Sequence, residues 1–310
     1  MRAMRQTALG GPEVLGEAQL PRPEPGIGEV LIRVRAAGLN PTDWKHRRHG
    51  LTLGQPPFVL GWDVSGEVEA IGAGVTLFKP GDEVFGMLPY PHGVGSHAEY
   101  VTAPPRALAR VPSGANHVTA GALPIAALTA WQALVDTADV QPGQRVLIHA
   151  AAGGVGHLAV QIAKHRGAHV IGTASAGKHE FLRGLGADEL VDYREVDFAE
   201  AVREVDVVLD TIGGDTRSRS LRVLRPEGLL VTLLFRAGQE VIAAARSLGV
   251  RAEALVAEAD HTGMEEIARL VGTGELAPTI AGTFPLEQAA QAHEQGETGR
   301  TTGKLVLVVD

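Results

Sequence analysis

The stretch Arg145 to Lys164, RVLIHAAAGGVGHLAVQIAK, constrains the fold of this chain more than any other. It opens on the apolar run Val146-Leu147-Ile148, too short for a helix and β-branched enough for a buried strand. Ala150 to Gly156 is then built almost wholly of alanine and glycine, where a strand must turn tightly into a helix. Leu158, Val160, Ile162 and Ala163 continue with helical spacing, and Lys164 near the helix end suits the dipole. Strand, glycine turn and helix together form a pyrophosphate cradle. Exposed N–H groups at the helix start favour an anion, and only residues without bulky side chains let it approach.

At 310 residues the chain is long for one domain and comfortable for two. Its net charge of −8 gives no global attraction to nucleic acid or anionic membranes, so neither is an expected partner and phosphate binding must be local. No apolar run approaches the roughly 18–20 residues that span a bilayer. The opening MRAMRQTALGGPEVLG has no apolar segment of signal-peptide length, so a cytoplasmic location is expected. The absence of cysteine excludes disulfides, thiolate nucleophiles and cysteine-containing zinc sites. The 12 histidines include no HExxH or comparable cluster.

Residues 1–36 read as β-rich, ending in the alternating strand Glu29 to Arg35. Pro41 fits the first turn of a helix with Asn40 as its N-cap. Phe58 to Gly72, Phe78 to Gly86 and His97 to Val101 are short strand signals with frequent Gly and Pro between them, the texture of a compact barrel. After Pro112 the texture changes to helix–strand alternation. A helical stretch is expected over Ala120 to Ala138, and strands at 145–150, 169–174, 189–193, 205–210, 228–234 and 251–256. That is the pattern of a doubly wound parallel sheet, with its ligand beyond the strand C-termini. A last strand, Lys304 to Val309, is too short to stand alone and is expected to rejoin the N-terminal barrel.

Seven blocks in order, AAGLNPTDWKHR, GWDVSGEVEAIG, FKPGDEVFG, AALTAWQAL, QPGQRVLIHAAAGGVGHLAVQIAK, LGADELVDY and TGKLVLVV, resemble the zinc-independent quinone oxidoreductase branch of the medium-chain dehydrogenase/reductase superfamily. The resemblance implies a mixed α/β fold: a GroES-like catalytic β-barrel over residues 1–118 and 262–310, and a Rossmann NADP-binding domain over 119–261. It also implies a cleft between them for a nicotinamide cofactor. Zinc-dependent relatives carry a cysteine at the position of Asn40 and Gly-His-Glu at Gly61-Trp62-Asp63, so no metal is expected here.

NAD-binding units usually place a carboxylate about 20 residues past the glycines. Here Ser175 and Lys178 follow that strand instead, favouring a 2′-phosphate and hence NADPH. The resemblance adds Tyr193 to the same pocket, Gly153, Gly154 and Val155 as pyrophosphate contacts, and Lys304 as a residue reaching the cofactor. Ile212 and the pair Leu233 and Phe235 are expected beside the nicotinamide half.

With nicotinamide and no metal, the simplest reaction is hydride transfer to a quinone or an α,β-unsaturated carbonyl compound. Asn40 is the expected donor to the developing oxyanion or to the nicotinamide ribose. Asp43 and Lys45 on the same helix are further catalytic candidates, although at a spacing of two they do not share a face. Thr129 matches a residue lining the family's cofactor cleft. Trp62, Tyr90 and His92 are expected at the substrate, the aromatic pair as apolar walls. The competing readings are an enoyl-thioester reductase and an NADPH-binding protein without turnover. The apolar strand 251–256 is expected at a sheet edge, where it favours a homodimer.

Overall fold

The computed structural model describes residues 1–233 and 238–310; Phe235 lies outside the described residues. The first eight strands are β1 (Arg2–Gln6), β2 (Leu15–Gln19), β3 (Val30–Gly38), β4 (Phe58–Val59), β5 (Asp63–Ile71), β6 (Glu83–Met87), β7 (Tyr100–Ala103) and β8 (Leu108–Arg110). Six more follow: β9 (Arg145–Ile148), β10 (His169–Ala174), β11 (Glu189–Asp192), β12 (Val205–Asp210), β13 (Leu224–Thr232) and β14 (Arg251–Ala254). The chain closes with β15 (Ile280–Pro285) and β16 (Lys304–Val308).

Two compact units divide the chain, Met1–Leu128 with Glu258–Asp310, and Thr129–Ala257. The sequence places these divisions at 118/119 and 261/262. Helix α2 (His117–Gly121), which packs on β3 and β5, together with the Ile125 N–H, which donates to Asp63 at 2.7 Å, ties residues past 118 to the first unit. Gly121 sits so near β3 that a Cβ there would lie 3.0 Å from the Ala36 Cβ. At the second division Asp260 accepts hydrogen bonds from Thr262 and Gly263, and so belongs to the helix His261–Gly272 that it caps.

In the first unit, β15-β16-β3-β5-β6-β8 form one sheet with β7 also paired to β3. The last strand does rejoin the N-terminal strands: β16 runs antiparallel to β3, with Val306 opposite Gly38 and Leu307 opposite Ala37. A smaller sheet, β2-β1-β4, is tied on through a bridge between Ala3 and Ala98. Along β3 the alternate residues Val30, Ile32 and Val34 are buried with Trp62, Val64, Val84 and Leu307, while Arg33 faces solvent. Only Arg33 and Arg35 interrupt the burial: Leu31 and the run Ala36 to Gly38 are buried too, so both faces of β3 are covered outside its middle.

The second unit is a six-stranded parallel sheet in the order β11-β10-β9-β12-β13-β14. Counted within the unit this is 3-2-1-4-5-6, the doubly wound order. Val146, Leu147 and Ile148 lie at its centre and are wholly buried, as a strand covered on both faces requires. The strand order reverses between β9 and β12, so their C-terminal ends flank the crevice where such sheets bind ligands. β14 is an edge strand.

The helix expected over 120–138 is instead three pieces: α2, α3 (Pro124–Trp131) and a π-helical stretch over Gln132–Thr137. Pro124 explains the first break, since its ring disfavours helical backbone at Leu123 and suits the first turn of a new helix. Helix α1 (Pro41–His49) starts where the sequence puts it.

Candidate functional site

The glycine turn after β9 is as tight as its sequence demands. Ala150 takes a φ of 47°, and the Gly153 N–H donates back to the Ala150 carbonyl at 2.9 Å. Gly156 opens helix α4 (Gly156–His165); a Cβ there would stand 2.7 Å from both Cα and O of Ala151 and would strike the Ala150 carbonyl oxygen. This position accepts only glycine, for helix–strand packing, while Gly153, Gly154 and Val155 stay half-buried at the mouth of the turn. Beneath it lies His149, with Nδ1 3.1 Å from Thr173 Oγ1 and Nε2 2.8 Å from Ser220 Oγ. Burial pushes its pKa down to about 4, so the ring is neutral at pH 7.

The loop after β12 is knitted to that turn. Thr211 Oγ1 donates to the His149 carbonyl at 2.9 Å. Asp210 Oδ1 accepts the N–H groups of Ile212 and Gly213 at 3.0 and 2.8 Å, and Oδ2 accepts from Thr232 Oγ1. This carboxylate holds Ile212 at the strand tip with half its surface exposed. The Leu233 N–H bonds to the Asp210 carbonyl at 3.0 Å, bringing Leu233 to the end of β13. The structure therefore gathers Gly153–Val155, Ile212 and Leu233 at the C-terminal ends of β9, β12 and β13. The half-buried turn Gly153–Val155 leads straight into α4, and the N–H groups at a helix start suit a dinucleotide pyrophosphate.

Ala174 pairs with Asp192, so Ser175 and Tyr193 follow directly from facing strand ends. Ser175 heads the short turn that carries Lys178, whose N–H bonds to the Ser175 carbonyl at 2.9 Å. Tyr193 is largely exposed, with the Arg194 guanidinium 5.8 Å from its ring centroid. The sequence reading passed over Asp192, a carboxylate at this same tip. It accepts the Arg194 and Ala176 N–H groups at 3.0 and 2.9 Å, and the first of these leads in holding its carboxyl below the usual range. Its position directly before Tyr193 is the signal that could have revealed it.

In the first unit the start of α1 is surrounded by buried polar groups. Asn40 has the extended backbone of an N-cap, φ −135° and ψ 157°, and forms a capping box with Asp43. Its side chain also has distant partners: Asn40 Nδ2 donates to Asp63 Oδ2 at 2.8 Å, and Asn40 Oδ1 accepts from the Lys304 ammonium. Lys304 Nζ also reaches the Leu39 carbonyl at 2.9 Å and Asp63 Oδ2 at 3.4 Å. Asp63 Oδ1 accepts the Ile125 N–H at 2.7 Å, at the first turn of α3. Every partner of Asp63 is a donor, the environment of a carboxylate; burial pushes its pKa up while Lys304, Asn40 and Ile125 pull it back.

Asp43, in the first turn of α1, differs. One oxygen accepts the Asn40 N–H at 2.7 Å and the other has no partner. Complete burial pushes its pKa up to about 8, with the nearby Asp63 charge adding to the effect. At pH 7 it is a neutral acid.

The other sequence candidates lie in varied surroundings. The Lys304 ammonium donates to Leu39, Asn40 and Asp63, all within this unit. Trp62 is 0% exposed and enclosed in the core, so it braces Tyr90 at 5.4 Å and His46 at 4.9 Å rather than forming a wall for substrate. Tyr90 is half-buried, His92 is exposed on its loop, and Lys45 is exposed on α1, away from the buried Asp43. Thr129 is buried on α3. At the positions where zinc-dependent relatives carry ligands, this chain has an amide held by a cation and a carboxylate, and an indole. Among the described residues no group of three or more His, Cys, Asp or Glu stands close enough to hold a metal, and no helix is long and apolar enough to cross a membrane.

A split barrel unit with a buried polar network, joined in sequence to a doubly wound sheet with a glycine cradle, defines a two-unit oxidoreductase. The alcohol dehydrogenase GroES-like domain family matches residues 26–113, and the zinc-binding dehydrogenase family matches residues 185–307. The chain is 37% identical over 324 residues to the 2-haloacrylate reductase of a Burkholderia species, covering 96% of each. It is similar to the quinone oxidoreductase of Coxiella burnetii at a TM-score of 0.96 and 38% identity, covering 100% of this chain and 99% of that one. The Escherichia coli quinone oxidoreductase complexed with NADPH matches at a TM-score of 0.90 and 28% identity, covering 99% and 100%. The chain belongs to the medium-chain dehydrogenase/reductase superfamily, in its quinone oxidoreductase branch.

Proposed function

We propose that this protein is an NADPH-dependent reductase of quinones or α,β-unsaturated carbonyl compounds, acting by hydride transfer without a metal. The observation that carries the reading is Asn40: a buried amide, held by a cation and a carboxylate, in a barrel whose donor set does not suit zinc. The cofactor supplies the hydride. Gly153, Gly154 and Val155 take its pyrophosphate at the start of α4, and Ile212 and Leu233 offer apolar contact to its nicotinamide half. Ser175, Lys178 and Tyr193 receive the 2′-phosphate; Asp192, occupied by two backbone N–H groups, is the less available partner for a ribose hydroxyl.

Asn40 donates to the oxygen on which negative charge develops, and Asp43 acts through it by fixing the first turn of α1. Lys45 and His92, both exposed, take no assigned step, and the final proton comes from solvent. The bacterial 2-haloacrylate reductase to which the chain is similar is named for an activated alkene, which agrees with this substrate class.

The test is NADPH consumption on adding 9,10-phenanthrenequinone, an enone and an enoyl thioester in separate assays. Turnover with the first two supports the reading, and tight NADPH binding without oxidation by any acceptor sinks it. In Asn40→Ala, kcat/KM should drop about 10- to 100-fold; unchanged rates would remove Asn40 from the mechanism. The exposed edge of β14 favours a homodimer, tested by the mass in solution, where a monomer would contradict it.

A further inference from the structure

The orientation of the Asn40 amide is dictated by its neighbours. An ammonium cannot accept a hydrogen bond and an ionised carboxylate cannot donate one. Lys304 therefore faces Oδ1, and Asp63 faces Nδ2. All four groups involved, Asn40, Asp63, Lys304 and the Leu39 carbonyl that takes the third ammonium contact, lie at the head of α1, with each of the three side-chain residues at most 3% exposed.

We propose that Lys304 and Asp63 are positioning residues that lock Asn40 as an obligate donor. Its carbonyl is held by the ammonium and one amide hydrogen by the carboxylate, so only the second N–H is left for a ligand. This rests on the reading of Asn40 as the group that meets the substrate oxygen, and it sharpens the substrate class. The reacting molecule must present an acceptor atom, a carbonyl or carboxylate oxygen, at that point; an ammonium there is rejected because it has no lone pair to meet the donor.

Two variants separate positioning from support. Lys304→Met leaves Asp63 buried without its cation and is expected to be poorly stable. The double variant Lys304→Met/Asp63→Asn removes both charges and is expected to recover the melting temperature. Its amide is no longer held in one sense, so kcat is expected to stay about 10- to 100-fold low with the KM for NADPH unchanged. A purely structural pair would recover kcat together with the melting temperature.

The second readout needs no turnover and no cofactor. The chain has two asparagines, Asn40 and Asn116, so selective 15N-asparagine labelling yields two side-chain amide pairs. Asn116 is exposed at the start of α2 and serves as an internal control. The Asn40 pair should be protected from exchange in the native protein and lose protection in the double variant. An Asn40 pair that exchanges like that of Asn116 in the native protein, or protection and kcat both intact in the double variant, overturns the lock. Native turnover in Asn40→Ala overturns the substrate-facing role of Asn40 instead, and the exchange data tell these two failures apart.

Discussion

Asp43→Asn tests the electrostatics of the barrel interior most directly. The native carboxyl is fully buried, with a pKa pushed up from 3.8 to about 8. Between those values the folded state holds one more proton than the unfolded chain, so stability declines as pH rises, by about 1.4 kcal/mol per unit. At pH 7 keeping Asp43 protonated costs about 4 kcal/mol relative to strongly acidic solution. Asparagine escapes that cost and retains an oxygen for the Asn40 N–H, which Asp43 accepts at 2.7 Å.

The variant carries a penalty of its own, because a second buried N–H replaces a single carboxylic O–H, worth about 1–3 kcal/mol. The two effects cross. Asp43→Asn should be less stable than the native protein near pH 4 and more stable above about pH 7. Urea unfolding followed by tryptophan fluorescence across this range measures the difference; Trp44 and Trp62 report on the unit that carries Asp43. Carboxylates whose pKa lies below the usual range, such as Glu99 and Asp188, lose their stabilising effect as pH falls, but they are common to both proteins and cancel. Parallel pH curves for the two proteins would show that Asp43 is ionised and the reasoning wrong.

Other perturbations address the second unit. Gly156→Ala forces a Cβ into the backbone of Ala150 and Ala151, which cannot yield without shifting the turn, so the dissociation constant for NADPH measured by calorimetry should rise at least about tenfold; an unchanged value would mean that the turn is not the cradle. Ser175→Ala/Lys178→Ala should lower the ratio of kcat/KM for NADPH over NADH by about 10- to 100-fold, as expected for lost hydrogen bonds to a charged group. Retention of the native ratio would place the phosphate pocket elsewhere.

The legible and illegible parts of this molecule divide by sequence distance. The glycine turn could be read because Val146 to Gly156 is one local unit in which strand, turn and helix reinforce one another. The edge position of β14 and the return of β16 to β3 followed from strand length and the resemblance. The network at Asn40 could not be read so. Its partners lie 23 residues away at Asp63 and 264 away at Lys304, and no periodicity links positions so far apart. Asn40 before Pro41 signalled a cap by its local pattern, and the capping box forms, but that pattern carries no sign of the tertiary hydrogen bonds the side chain also makes. Trp62 failed for a related reason: an aromatic residue beside a substituted ligand position suggests a binding wall, yet only the packing of β5 against the core shows it enclosed.

The same distant contacts explain why the last segment of the chain belongs to the first unit chemically as well as topologically. α1 is held at both ends by buried cations. At its start the ammonium of Lys304 binds Leu39 and Asn40. Near its end Arg47, 0% exposed, donates to Glu297 at 2.8 Å, to His293 Nδ1 at 3.0 Å and to the Gly10 carbonyl at 3.2 Å. Glu297 and His293 lie on the helix Ala289–Glu297, which packs on β16. His293 accepts from the guanidinium as a neutral ring, since burial, with His97 and Arg47 nearby, holds its pKa well below the ordinary value. Buried ion pairs add little net stability, but removing one partner strands the other, so such contacts tolerate few alternatives. Residues 289–304 thereby fix both ends of α1, and with them the backbone of Asn40 and Asp43. The donor is thus set by three separated parts of the chain, α1, the start of β5 and β16, and its direction depends on all three being in place.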